Sequence, residues 1–353
     1  GYEFNLNSPK QLGVALFEKL GLPAKKKTKS GYSTGAEVLE GLKNEHPAVS
    51  LLLNYRQLAK LKSTYADGLQ DCIAEDGRIH STFNQTEART GRISSLEPNL
   101  QNIPVRTAEG RRLREYFNAP AGRVLCDADY SQIELRVLAS MSGDANMINA
   151  FGSGTDIHTV TASQVFGLPQ DMITPELRSR AKAVNFGIVY GIGAFSLSKD
   201  IGVTRAEADR YIKSYLAAYP DVAAYMEKAI EDAKKNGYVT TLYGRRRYIP
   251  ELSNSNGNMR AFGERVARNA PIQGTAADII KIAMIKVSSS LKDEFPTARL
   301  ILQVHDELIV ECDEKDAEGV CALLEKEMES AADLAVRLTA EAHFGKTWLE
   351  AKA

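Results

Sequence analysis

Two short apolar runs, far apart in the chain, each finish on acid, and this feature constrains the fold more than any other. The first, Arg123-Val-Leu-Cys-Asp-Ala-Asp129, is strand-like and runs into Tyr130. The second, Arg299 to Glu311, reads as two strands flanking a tight turn at His305-Asp306-Glu307, a hairpin with acids at its tip. Alone, Asp129 reads as a cap for the helix that starts at Ser131-Gln-Ile-Glu-Leu-Arg136. The hairpin supplies a second reading, because two carboxylates on neighbouring strands repel each other unless cations intervene. Hard divalent ions take oxygen ligands and keep room for phosphates, and a pair of them can activate a hydroxyl and stabilise a leaving oxygen.

Around these strands the chain is mainly helical. Residues 1 to about 72 read as helices: Ser8-Pro9 opens one, Gly21-Leu22-Pro23 ends it, and Leu51 to Tyr65 has apolar residues at helical spacing, with a Lys-rich loop between. Gly77 to Phe83 is strand-like. Helices then dominate from the first acid-tipped strand to about Asn236, and Gly244 to Asn258 is a turn-rich connection. Thr275-Ala-Ala-Asp278 has the form of a capping box that starts an apolar helix, Ile279 to Val287. Strands from the middle and the end of the chain predict one sheet, with a helical insertion at about 146 to 260 as a separate lobe.

Within that insertion, Arg178, Lys182, Phe186 and Tyr190 recur every four residues and share one slowly drifting helix face. Two cations followed by two aromatic rings suit a triphosphate, a sugar and a base; the same pattern also fits an amphipathic helix with solvated cations and core aromatics. Gly187 and Gly191 beside the rings point to a close approach to the backbone.

The net charge is -1 over 353 residues, a poor match to a phosphate-binding protein until its distribution is considered. From Glu311 onward eleven acids face five Lys and Arg, so the remainder of the chain is basic. Basic clusters stand at Lys25 to Lys29, Arg111 to Arg114 and Arg245 to Arg247, although such runs are usually solvated faces. The four cysteines, Cys72, Cys126, Cys312 and Cys321, form no CxxC pair, so neither zinc nor a disulfide framework is expected. No apolar run approaches the roughly 18 residues of a membrane span, and no signal peptide opens the chain. A cytoplasmic, nucleoid-associated monomer is expected, and Gly1 reads as a cut end.

Six motifs in order resemble family A DNA polymerases, those like bacterial DNA polymerase I: Thr90-Gly-Arg92, Asn99 to Arg106, Asp129 to Arg136, Arg178 to Gly191, Asn269 to Asp278, and Val304-His-Asp-Glu307. The resemblance implies an α+β, right-hand fold with an antiparallel palm sheet, helical fingers and a partial helical thumb. Its divisions would be 1–72 partial thumb, 73–145 palm, 146–260 fingers, and 261–353 second palm part with an acidic tail. The family normally has more thumb, and often exonuclease domains, upstream of such a start.

The same resemblance assigns roles. Asp129 and Asp306 would bind two Mg2+ ions with the Tyr130 carbonyl, and Glu307 would help. Arg178, Lys182 and His158 would hold the triphosphate of a deoxynucleotide, Phe186 its sugar, and Tyr190 the templating pocket; Gln132 and Glu134 would complete the nucleotide site, Glu134 as a gate against a 2'-hydroxyl. Arg92, Arg265, Asn269, Gln273 and His305 would line primed template DNA, with Arg56 and Lys60 on the duplex backbone. The implied activity is template-directed DNA synthesis without proofreading. A single-subunit RNA polymerase shares several of these residues, but Phe186-Gly187 and Glu134 resemble the DNA-polymerase choices; a fragment that mainly binds primed DNA is the other alternative.

Overall fold

The computed structural model describes residues 3–24, 27–28, 31–105 and 107–352, with only the backbone at 27–28. Most of the Lys25 to Lys29 cluster, and Arg106, therefore lie outside the described residues. The chain divides into two compact units, Gly1–His80 and Ser81–Ala353.

In the first unit, Ser8 caps helix Pro9–Gly13 by accepting from the Gln11 amide, and Pro9 sits at the first turn where its missing N–H costs nothing. The helix continues as π turns over Val14–Lys19, and Gly21 takes up a left-handed φ of 67° beyond it. The long helix Pro47–Lys60 is capped by the His46 ring and continues as Leu61–Asp67. Leu12, Leu16, Leu39, Leu42, Val49 and Leu52 form the core of this unit. The strand expected over Gly77 to Phe83 is reduced to an isolated bridge, Ile73 with Ile79, and to Thr82–Asn84, which pairs with Ser94–Leu96. Gly77 has a φ of 76°, so no extended run starts there.

The second unit is organised by an antiparallel sheet of four strands: β1 (Arg123–Tyr130), β2 (Arg299–Val304), β3 (Glu307–Asp313) and β4 (Ala340–Gly345), in spatial order β4-β1-β3-β2. Alternation along β1 sends Val124, Cys126, Ala128 and Tyr130 into the apolar core. Arg123, Leu125, Asp127 and Asp129 take the other face. Among five helices, α1 (Ile133–Ser142), α2 (Ile157–Phe166), α3 (Pro175–Val189), α4 (Gly257–Glu294) and α5 (Ala317–Glu329), α4 and α5 pack directly on the strands, α1 packs on α4, and α2 packs on α3. One continuous core joins β1 and β3 to all five, including residues of the helical insertion such as Val184, Tyr211 and Tyr215.

The expected helix start at Thr275 is corrected. α4 passes unbroken through Pro271, and the capping residues serve another segment. Thr275 accepts from the Leu242 amide at 3.1 Å and donates to the Pro271 carbonyl at 2.7 Å. Asp278 accepts from Thr241 and from Arg245, each at 2.7 Å. These polar groups tie the 241–245 loop to α4, and burial there outweighs the local preference for a new N-terminus. Arg245 is thereby committed to Asp278, so this part of the Arg245 to Arg247 cluster is structural.

Candidate active site

The sheet register sets Asp129 opposite Glu307, and the β2–β3 hairpin turns tightly at His305 and Asp306, with His305 at a φ of 55°. The Tyr130 amide donates to the Asp306 carbonyl at 3.2 Å, drawing the hairpin tip against the end of β1. Asp129 and Asp306 then line one cleft of about 470 Å³. Burial first, and the Asp129 charge second, push Asp306 up to about 7. Burial also raises Asp129, against the pull of Lys352. Asp129 does not cap α1: the N-cap is Gln132, in a left-handed conformation with no side-chain cap.

Asp129 Oδ2 lies 3.3 Å from Lys352 Nζ, while its Oδ1 is buried without a hydrogen-bond partner. An unmatched buried carboxylate oxygen beside a second carboxylate is costly unless a cation completes it. The donor set is all oxygen, which suits a hard divalent ion. Among the described residues no group of three or more His, Cys, Asp or Glu is arranged to hold a metal. The protein side is a carboxylate pair, leaving other coordination positions to phosphate, water or main-chain oxygen. Tyr130 can contribute only its main chain, because its ring is buried and its hydroxyl donates to the Met328 carbonyl at 2.6 Å.

A second layer supports this pair. Trp348, at the start of the terminal helix Trp348–Ala351, donates its indole N–H to Glu307 at 2.9 Å and to Asp127 at 3.2 Å. Lys352 reaches Glu307 as well as Asp129. Burial and the Glu307 hydrogen bond push Asp127 up to about 9. For Glu307, burial is outweighed by Asp127 and Lys352, and its carboxyl stays below the ordinary value. The pair therefore favours its proton on Asp127 over Glu307. Glu307 is committed to this layer, not to the cleft wall. Arg114 is buried with its guanidinium 4.6 Å over the Trp348 ring, so it too leaves the solvated basic cluster.

α3 forms the opposite wall. Thr174 caps it and Pro175 starts it. Arg178, Lys182, Phe186 and Tyr190 lie on one helix face, as the four-residue spacing predicted, and that face lines the cleft. Arg178 sets its fork on Asp156 at 2.9 and 2.8 Å, and Asp156 also caps α2 through the Thr159 amide at 2.8 Å. His158 of α2 is buried beside them, its ring 5.9 Å from Phe186. Phe186 and Tyr190 stack at 6.3 Å. The floor carries a polar chain: Arg92 donates to Glu134 at 2.8 Å, and Tyr190 bonds the same carboxylate. Burial raises Glu134 and outweighs both partners. Gln132 and His305 complete the lining. The close approach at Gly187 is made by Ile192; at Gly191, whose φ is 65°, a side chain would meet Arg265 at 3.4 Å.

Arg265, Asn269 and Gln273 share a face of α4 at helical spacing, outside the cleft lining, Arg265 lying beside Gly191. In the first unit, the Arg56 guanidinium donates to the Thr34 carbonyl at 2.5 Å, and Lys60 is exposed. Sequence reasoning missed Asp127, Asp156, Asn185, Trp348 and Lys352. Asp127 had a signal, since strand alternation places it on the face of Asp129; Trp348 and Lys352 had none, because only the β4–β1 pairing brings them near.

On an α+β fold, an antiparallel sheet with paired acids at its tips faces a helix that carries cations and aromatic rings. The chain belongs to DNA polymerase family A, whose sequence pattern matches residues 1–350. It is 52% identical to DNA polymerase I of Geobacillus stearothermophilus over 354 residues, and 53% identical to that of Bacillus subtilis (strain 168) over 355. Each match covers all of this chain and 40% of the relative, so the chain spans about two fifths of their length. The POL domain of Pol1 from M. smegmatis, solved in complex with DNA primer-template and dNTP, superposes with a TM-score of 0.93 at 46% identity, over all of this chain and 63% of that one. No helix among the described residues is long and apolar enough to cross a membrane.

Proposed function

We propose that this chain is a template-directed DNA polymerase that joins deoxynucleotides to a primer 3'-hydroxyl. The carrying observation is the Asp129–Asp306 pair, with its unpartnered carboxylate oxygen, in one cleft with Arg178, Lys182 and His158. Family membership and the relative solved with DNA primer-template and dNTP support the same reading. In right-hand terms, 1–72 is a partial thumb, 73–145 and 261–353 the palm, and 146–260 the fingers.

Asp129, Asp306 and the Tyr130 carbonyl would hold two magnesium ions. Ions held there would supply activation of the primer hydroxyl and neutralisation of charge on the leaving group. The primer 3'-hydroxyl gives up its proton to water as its oxygen bonds to the α-phosphorus, the bond to the bridging oxygen of the β-phosphate breaks, and pyrophosphate departs. Arg178 and Lys182 hold the triphosphate electrostatically, with Asp156 keeping the Arg178 fork in place. Phe186 packs on the sugar, Glu134 closes the space beside the 2'-carbon, and Tyr190 borders the templating pocket. Arg92, Arg265, Asn269, Gln273 and His305 contact primer and template near the nascent pair, where minor-groove acceptors are common to all correct pairs. Arg56 and Lys60 contact duplex backbone.

Asp129→Ala and Asp306→Ala test the assignment. Each should lower primer extension by roughly a thousandfold or more while primed-DNA binding persists. Near-normal extension by either variant would remove it.

A further inference from the structure

Behind the cleft wall formed by α2 and α3 lies a buried polar network. His158, Thr161, Asn185 and Tyr219 are each no more than 2% exposed. The side-chain amide nitrogen of Asn185 lies 3.0 Å from His158 Nδ1 and 3.1 Å from the Thr161 hydroxyl. That hydroxyl is in turn 3.2 Å from the Asn185 amide oxygen and 3.4 Å from the Tyr219 hydroxyl. With the amide nitrogen turned to the ring, Nδ1 is the acceptor and carries no proton, since an amide nitrogen can only donate. The ring's single proton is then on Nε2. His158 also borders the cleft, and with Nδ1 taken by Asn185 the ring's remaining donor for a ligand there is Nε2–H.

We propose that Asn185 is a positioning residue that fixes His158 as the neutral Nε2–H tautomer, so that His158 meets the nucleotide triphosphate as a directional donor and leaves charge neutralisation to Arg178 and Lys182. The donor role rests on the reading of the cleft as a triphosphate site. The charged groups facing the ring agree with it. Burial lowers His158 to about 4; Asp156 at the start of α2 opposes this, and Lys182 and Arg178 on α3 reinforce it. Protonating Nδ1 would also set one N–H against another. An aspartate at 185 would instead accept from Nδ1–H and stabilise imidazolium, whereas an apolar residue would leave Nδ1 unpaired and release both tautomers.

The test is nitrogen NMR of the full chain labelled with 15N-histidine, the His158 signals being assigned by their loss in His158→Gln. At neutral pH the wild-type ring should show an unprotonated Nδ1 and a protonated Nε2. Asn185→Asp should move a proton onto Nδ1, and the KM for the incoming deoxynucleotide, flat between about pH 6 and 8 in wild type, should become pH-dependent. Asn185→Leu should raise that KM roughly tenfold while kcat changes little. A wild-type ring protonated at Nδ1 would overturn the proposal without reference to any variant, and so would a tautomer unmoved by Asn185→Asp. If the tautomer behaves as expected but His158→Gln leaves the nucleotide KM unchanged, the triphosphate assignment and the donor role fall while the tautomer lock stands.

Discussion

Asp306→Asn separates a carboxylate held for cations from one that merely supports the fold. The substitution removes one of two facing charges with little change of shape. In the folded chain Asp306 is pushed up to about 7, by burial and then by Asp129, whereas an unfolded aspartate titrates near ~3.9. The folded state therefore holds this proton more tightly, and its contribution to stability is greatest below about pH 4 and is lost as pH rises towards about 7. The full shift of about three pH units corresponds to a ceiling of roughly 4 kcal/mol. Because the carboxyl is half-buried and borders the open cleft, about 1–2 kcal/mol is the expected effect after solvent screening. Asparagine carries no charge and escapes this loss. In urea unfolding with EDTA, Asp306→Asn should exceed wild type by that amount near pH ~8.5, with the gain fading towards pH ~4. Primer extension should meanwhile collapse. A variant less stable than wild type at the higher pH would show that Asp306 is a satisfied structural acid, refuting the argument from repulsion.

Other outcomes concern the cleft walls and the layer beneath the acids. Glu134→Ala should raise ribonucleotide use relative to deoxynucleotide use in single-turnover incorporation, and should cost about 1–3 kcal/mol in urea unfolding because Arg92 and Tyr190 lose their acceptor. An unchanged ratio would leave Glu134 a structural acid. Wild type should prefer deoxy over dideoxy substrates, and Phe186→Tyr should remove most of that preference by adding a hydroxyl where the 3'-oxygen is missing; a wild-type ratio of efficiencies near unity would take Phe186 out of the sugar pocket. Trp348→Phe deletes the N–H shared by Asp127 and Glu307, and should cost about 1–3 kcal/mol in the same unfolding assay. No loss would mean that the layer beneath the acids is held without it.

The parts of the site readable from sequence are those whose side chains are ordered by a local period. β1 and the β2–β3 hairpin are short apolar runs bounded by polar turns, and both acids follow from where the runs stop. The α3 wall follows from a four-residue spacing on one helix. Long-range pairing hides the rest. Trp348 and Lys352 approach Asp127, Asp129 and Glu307 only because β4 pairs with β1, and no local pattern encodes that register. Asn185 looks like one more polar residue on α3 until α2 packs against it. The Thr275 error has the same origin: a capping pattern fits the residues, but the 241–245 loop claims their side chains and packing carries α4 through Pro271.

Single-nucleotide primer extension shows whether this chain is a template-directed DNA polymerase. The purified chain is given Mg2+, a primed template with each of the four bases next in turn, and one deoxynucleotide or ribonucleotide at a time. Extension by one unit with only the complementary deoxynucleotide, abolished by EDTA, is the predicted result. Efficient extension with ribonucleotides would favour an RNA polymerase, and tight binding of primed DNA without any extension would reduce the chain to a binding fragment; either result would contradict the account.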